Sequence, residues 1–183
     1  MKPPRHGRFL ALPYLGVHAY QNRAASAYFP GLRIGGLFGG RVIDLLSLNW
    51  ELTFDVSNVD SPPSMTGVSE WAFDFAFSPM VHLPAGPAEL LLGPKLGVFW
   101  VRGTINNSSY LNETRQGTGL VGGINAGAFM HVSASTSIGV LLSFELRKIE
   151  HACNVNPDEI ALCSLARDTS AKVVGLTAAA LFR

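Results

Sequence analysis

The chain has 183 residues, a formal net charge of +1 and a mean hydropathy of +0.24. Hydrophobic residues make up 48% of it and charged residues 15%, against about 25% charge in an ordinary soluble domain. It is too apolar for disorder, and its near-neutral charge argues against nucleic acid as the main partner. No stretch reaches the roughly 20 apolar residues of a membrane-spanning helix, and 19 glycines with 11 prolines disfavour long helices. Three classes remain: a soluble all-β domain, a secreted module, and a β-barrel that lives in lipid.

Residues 1–8 form a basic N-terminal extension (Lys2, Arg5, His6, Arg8), and residues 9–183 read as one barrel domain. The stretch Phe9 to Tyr20 reads as the first strand. A signal peptide with Phe9 to Val17 as its apolar core and Ala25-Ser26-Ala27 as its cleavage site is the competing reading. Pro13 and the polar run Gln21-Asn22-Arg23 oppose it. On the strand reading, an export signal has been removed or lies upstream.

The second strand sets Leu32, Ile34, Gly36 and Phe38 against Arg33, Gly35, Leu37, Gly39 and Arg41. The third alternates without a fault from Leu46 to Val56, with Leu46, Leu48, Trp50, Leu52, Phe54 and Val56 on one face. Ser47, Asn49, Glu51, Thr53 and Asp55 occupy the other. A period of two marks an extended strand with two different faces. In the fourth, Trp71, Phe73, Phe75 and Phe77 alternate with Ala72, Asp74 and Ala76. The fifth carries Leu92, Pro94, Leu96, Val98 and Trp100 against Gly93, Lys95, Gly97 and Phe99. The sixth sets Ile124, Ala126, Ala128 and Met130 against Gly123, Asn125, Gly127 and Phe129. The seventh has Ile138, Val140, Leu142, Phe144 and Leu146 against Gly139, Leu141, Ser143, Glu145 and Arg147. The eighth runs from Val173 to Phe182.

Short links follow strands two, four and six, around Val42 to Leu45, Leu83 to Pro87 and Ser133 to Thr136. Long polar links follow strands one, three, five and seven: Gln21 to Gly31, Ser57 to Ser69, Gly103 to Gly117 and Glu150 to Ser170. In an up-and-down meander this gathers the short turns at one end and the long loops at the other, as in an outer-membrane barrel. Cys153 and Cys163 fall in the last long link, and a loop disulfide is expected, with two free thiols as the alternative.

A soluble eight-stranded barrel would turn its apolar face inward. Its outer face would then be glycine and alanine with one or two charges per strand, which is thin for a solvated surface. The reverse arrangement is expected: apolar faces to lipid, with Arg33, Arg41, Glu51, Asp55, Asp74, Lys95, Glu145 and Arg147 in the lumen. These are four cations and four anions, a balance suited to buried charges. Trp50, Trp71, Trp100 and Phe182 would form an aromatic girdle on the lipid face. Closure satisfies every backbone hydrogen bond in lipid.

This organisation resembles the small eight-stranded outer-membrane β-barrels of Gram-negative bacteria, the OmpA/OmpX/OmpW type, over essentially the whole chain. The terminal strand from Lys172 to Arg183, with its glycine, alternating apolar residues and Phe182, is similar to that family's assembly signal. It departs in placing Arg183 last. Gly93-Pro94-Lys95-Leu96-Gly97 is similar to strand five of many such barrels. The resemblance implies an all-β, up-and-down transmembrane barrel in the bacterial outer membrane, with short periplasmic turns and long extracellular loops.

Three residue patterns in the chain carry a chemical signal. Gly117-Thr118-Gly119-Leu120-Val121-Gly122 has dinucleotide-binding spacing but runs into strand rather than helix, so no cofactor is expected. His18, His82 and His151 lack ligand spacing, so no metal is expected either. His131, Ser133 and Glu145 look like the His-x-Ser and Glu of PagL-type lipid A deacylases, with the serine as nucleophile. Glu145 would nevertheless stand roughly 23 Å from His131 at about 3.3 Å per residue, so no enzymatic activity is expected. Asn106-Asn107-Ser108 and Asn112-Glu113-Thr114 mark an exposed polar loop.

An eight-stranded lumen is narrow enough to be filled by side chains. The expected role is a structural or interaction protein acting through its outward loops, with a polar lumen closed to diffusion. Its partners would be outer-membrane lipid, lipopolysaccharide, and envelope or extracellular proteins. Two alternatives stand beside it: a narrow conduit for small apolar molecules, with Leu37, Phe99 and Leu141 as its lumen residues, and a lipid A deacylase using His131, Ser133 and Glu145.

Overall fold

Strict alternation puts six apolar side chains of Leu46 to Val56 on one face only if the backbone is extended. The computed structural model describes residues 9–21, 30–59, 65–107, 110–155, 162–165 and 170–183. Its elements are all strands: β1 (Phe9–Tyr20), β2 (Gly31–Ile43), β3 (Leu46–Val59), β4 (Met65–Phe77), β5 (Met80–Ala85), β6 (Ala88–Asn107), β7 (Tyr110–His131), β8 (Thr136–Val155), β9 (Leu162–Leu165) and β10 (Ser170–Phe182).

Neighbours in sequence pair antiparallel, and β10 pairs with both β8 and β1, so the sheet closes on itself. β4 and β5 make one stave, and β9 pairs with β8 at its far end among the described residues. The result is an eight-stave up-and-down barrel with no open edge around its wall.

Tight turns at Asp44-Leu45, at Gly86-Pro87 and at residues 132–135 define one end, here the turn end. Gly86 has a φ of 67°, the left-handed region that a residue without Cβ enters at little cost. Residues 131–136 close on backbone bonds from Val132 N and Ser133 N to the Thr136 carbonyl, at 3.0 and 3.1 Å.

At the opposite, loop end the strands are longer than their composition suggests. The polar stretch from Gly103 to Gly117 is not a loop: β6 and β7 stay paired up to Asn107 and Tyr110. Likewise β8 runs to Val155 and receives β9 within the Glu150 to Ser170 link. Asn and Gly carry weak strand preference alone, but a hairpin begun in the wall supplies each added residue with a ladder partner.

The wall has a weak seam between β4, β5 and β6. The β4–β6 ladder ends at Phe77↔Leu96 and resumes as β5–β6 at Val81↔Leu92. Pro79 and Pro94 face each other in the gap, and neither has an N–H to donate. Ser78 Oγ reaches across the gap to the Pro94 carbonyl at 3.4 Å, while its N–H holds the β3 side through the Asn49 carbonyl at 2.8 Å.

The apolar face points outward on every stave. Leu15, Ile34, Trp50, Leu96, Ile124, Phe144 and Leu176 are all at least half exposed, Leu96 at 68%. An outer wall this apolar far exceeds the patches that soluble monomers leave to water. The charged and small residues point inward, where Arg33, Glu51 and Asp74 are 1% exposed.

Candidate functional site: a filled lumen

The inward positions of β2, β3, β4, β6 and β8 deliver seven charged side chains to one level of the lumen. Arg33 makes paired bonds to two carboxylates: Nε and Nη2 donate to Asp55 at 2.8 and 2.7 Å. Nη1 and Nη2 donate to Glu145 at 2.7 and 3.0 Å. Lys95 Nζ bridges Glu145 and Glu51 at 2.9 and 3.2 Å. Arg147 Nη2 reaches Asp55 at 2.6 Å, Asp74 at 2.7 Å and Glu145 at 3.2 Å. Fork geometry suits a guanidinium to this bridging, and each charge gains partners that offset its desolvation.

Asp55, Asp74 and Glu145 each offer an oxygen within 4.8 Å of the others. Arg147 bonds to all three, so a guanidinium already stands where a metal ion would. The set is a salt-bridge hub rather than a metal centre.

Room for these side chains comes from glycine. A Cβ on Gly175 would lie 2.5 Å from both Arg33 Nη1 and Ser143 Oγ. One on Gly35 would lie 2.6 Å from the Tyr14 ring.

Arg41 does not join this hub. It lies at the turn end, where Nη2 donates to Glu89 at 2.5 Å beside His82, and Arg183 also bonds to Glu89. The hub therefore holds three cations and four anions, and the turn-end group adds Arg41 and Arg183 against Glu89. Over the two clusters together five cations meet five anions, although neither cluster balances alone.

The two clusters are joined along one side. Asn125 Nδ2 donates to Glu51 at 2.7 Å and to Ser78 at 3.1 Å. Asn49 Nδ2 donates to Ser47 at 2.8 Å and to the Ser78 carbonyl at 3.1 Å. His82 then bridges Ser47 and Glu89 at 2.7 and 2.9 Å. At the other extreme His18 Nε2 meets Ser57 Oγ at 2.6 Å, and Tyr20 donates to Glu70 at 2.6 Å.

The lumen is not polar throughout, which corrects the sequence expectation. Leu10, Leu12, Leu37, Met80, Leu91, Phe129, Leu141 and Leu181, all at most 2% exposed, pack with Tyr14 and Ala179 into an apolar layer. Alternation reveals that these residues point inward but not that they share a level. Tyr14, His18, His82, Glu89, Asn125 and Arg183 were also missed as network partners. Each lies on the inward parity of its strand, except Arg183, which follows β10.

Trp50 and Phe182 lie on the outer wall in the turn-end half, and Trp71 and Trp100 in the loop-end half. Trp50 stacks on Phe75 at 5.1 Å, and Trp71 meets Trp100 edge-on at 4.6 Å.

The remaining candidates do not assemble. His131 Nδ1 shares a 2.8 Å hydrogen bond with Ser137 at the turn end. Ser133 is exposed and accepts from the Ser135 N–H, while Glu145 sits in the hub opposite Gly123. Gly117 to Gly122 lie within β7. Cys153 and Cys163 are register partners of β8 and β9. Their side chains lie outside the description, and no disulfide is found among the described residues. The expected disulfide thus has no support from the structure. Residues 1–8 also lie outside the described residues.

A closed eight-stave antiparallel barrel with an apolar exterior and an ion-paired interior is the fold of the small outer-membrane β-barrels. Solved structures agree. Neisserial surface protein A has a TM-score of 0.62 at 13% identity, covering 97% of this chain and 98% of that one. OprG of Pseudomonas aeruginosa has a TM-score of 0.58 at 9% identity, covering 99% of both chains. Ail, the attachment invasion locus protein of Yersinia pestis, has a TM-score of 0.56 at 11% identity, covering 95% and 97%. No known protein family and no curated protein matches the sequence.

Proposed function

We propose that this chain is an integral bacterial outer-membrane protein that acts as a structural and interaction body through its loop end, with no catalytic role and no open diffusion path. The carrying observation is the filled lumen, where the Arg33–Glu145–Arg147 hub lies beside the apolar layer around Phe129. Solute passing along the axis would have to break buried ion pairs and displace close-packed side chains together. With the interior spent on packing, the loop end is the surface left for recognition. Ail, named for attachment and invasion, is a similar barrel and supports that use.

The test has two parts. The refolded chain in detergent should show heat-modifiable gel migration and β-type circular dichroism, and it should not stay monomeric in water without detergent. In liposomes it should leave small-solute flux at the level of empty vesicles. Selective flux of small apolar solutes would favour the conduit reading, for which the apolar layer offers lining residues.

A further inference from the structure

The outward rings are not spread evenly around the barrel. On β4, Trp71, Phe73, Phe75 and Phe77 fill four consecutive outward positions, joined by Trp50 and Phe54 from β3 and Trp100 from β6. Among the described residues the other outward rings are Phe9, Phe38, Phe144 and Phe182, one to a stave. An aromatic girdle places its rings at the two membrane interfaces. A column that runs unbroken from Trp71 to Phe77 is a different feature.

The column is already packed. Trp71 meets Trp100 edge-on at 4.6 Å and Phe54 at 6.0 Å, and Trp50 lies against Phe75 and Phe77 at 5.1 and 5.4 Å. Rings held by one another lose little side-chain freedom when a second surface covers them. The face is also free of charge, since the outward positions from Leu46 to Val56, Trp71 to Phe77 and Leu90 to Trp100 are all apolar. Its foot is the Pro79–Pro94 seam, where the ladder lapses between Phe77↔Leu96 and Val81↔Leu92. Backbone polar groups at such a gap are costly to leave against lipid. On the far side of the barrel the small outward residues Pro13, Ala178 and Ala180 leave a recess of about 900 Å³, a shape that flexible acyl chains can fill.

We infer that the β3–β4–β6 face is the contact between two copies of this chain in the membrane. This rests on the outer-membrane reading above, which puts the wall in lipid. A twofold axis along the membrane normal keeps every residue at its own depth, so rings meet rings and seam covers seam. Two uncharged faces meet without like-charge repulsion, and close packing of preformed rings favours the pair where both states are apolar. Trp50, Phe54, Phe73, Phe75 and Phe77, each between 38% and 50% exposed, present roughly 400 Å². Leu48, Leu92, Leu96 and Val98 extend the face toward the about 800 Å² per partner of a standard interface.

The experiment uses the full chain in phosphatidylcholine vesicles, as mixtures of copies carrying a donor or an acceptor dye on the N-terminal amine. Energy transfer should exceed that of randomly placed barrels, fall as lipid is added, and rise linearly with acceptor fraction, as for a pair. Phe73→Leu with Phe75→Leu keeps the wall apolar but removes two rings. It should raise the chain density at half-association by about tenfold or more. Phe38→Leu with Phe144→Leu makes the same change on other staves and should leave that density unaltered. Leu96→Ala trims the most exposed described side chain of the face; it should shift the density as the first pair does, and it covers a loss of folding there. Transfer at the random level in the wild type, a non-linear acceptor dependence, or equal behaviour of the two double variants would overturn the inference. A wild-type chain that never shows the heat-modifiable band would overturn the outer-membrane reading itself.

Discussion

Arg33 and Glu145, 112 residues apart in sequence, meet across the lumen through two hydrogen bonds of 2.7 and 3.0 Å. No local preference brings them together; barrel closure does. β2 and β8 are separated by β1 and β10, and both residues point inward from facing parts of the wall. The pair is therefore a report on closure, and its removal should be felt by the whole barrel.

Glu145→Ala leaves three cations and three anions in the hub but takes a bonded carboxylate from Arg33 and from Lys95, leaving Arg33 Nη1 with Ser143 as its acceptor. Removing one partner of buried ion pairs costs about 3–5 kcal/mol. Urea unfolding of the vesicle-inserted chain should show that loss. Arg33→Met combined with Glu145→Leu should cost less than the sum of the single changes, with a coupling of about 1–3 kcal/mol. Strict additivity would mean the pair contributes nothing as a pair.

Gly175→Ala tests the space around the same guanidinium. Its Cβ would stand 2.5 Å from Arg33 Nη1 and from Ser143 Oγ, so the arginine must withdraw from its partners. Overpacking of this kind costs about 1–3 kcal/mol. At Gly86 nothing lies within 4 Å, so alanine there meets only backbone strain from the positive φ, about 1 kcal/mol. Melting of the two variants by circular dichroism should rank Gly175→Ala as the more damaging.

The fault-free run from Leu46 to Val56 made β3, its outward face and the inward direction of Glu51 and Asp55 legible from sequence. Length and height were not. Alternation marks a side chain as inward without giving its level, because the stagger between staves is set only at closure. Hence alternation groups Arg41 with Arg33, yet one sits at the turn end and the other in the hub. For the same reason the shared level of Leu12, Leu37, Phe129 and Leu141 was hidden. The paired extension of β6 and β7 past Gly103 was hidden by its Asn and Gly content, since ladder partners rather than propensity hold it.

The apolar layer makes a separable prediction. Phe129 is 1% exposed, and its ring packs so close to Gly127 that a Cβ there would fall 2.6 Å from it. Phe129→Ala should cost about 3–5 kcal/mol through the cavity it leaves. If the layer contributes to closing the lumen, the variant should also raise the leak of small neutral solutes from proteoliposomes above that of the wild type. Loss of stability without added leak would assign closure to the ion-paired hub alone.

The orientation of the two faces is tested most directly at Leu142, which is 39% exposed on the outer wall of β8 between the inward residues Leu141 and Ser143. Arginine near the middle of a lipid-facing wall costs about 2–4 kcal/mol, because the guanidinium must drag water into hydrocarbon or bend toward the interface. On a barrel surrounded by water the same change at an exposed site stays within about 0.5 kcal/mol. Leu142→Arg should therefore lower both the yield of refolded, heat-modifiable protein and its stability in vesicles. Moving the arginine toward the loops, at Leu146, should reduce the penalty, since that side chain lies beside Lys172 near the edge of the apolar wall. A penalty that is the same at both positions, or absent at both, would contradict a lipid-covered exterior.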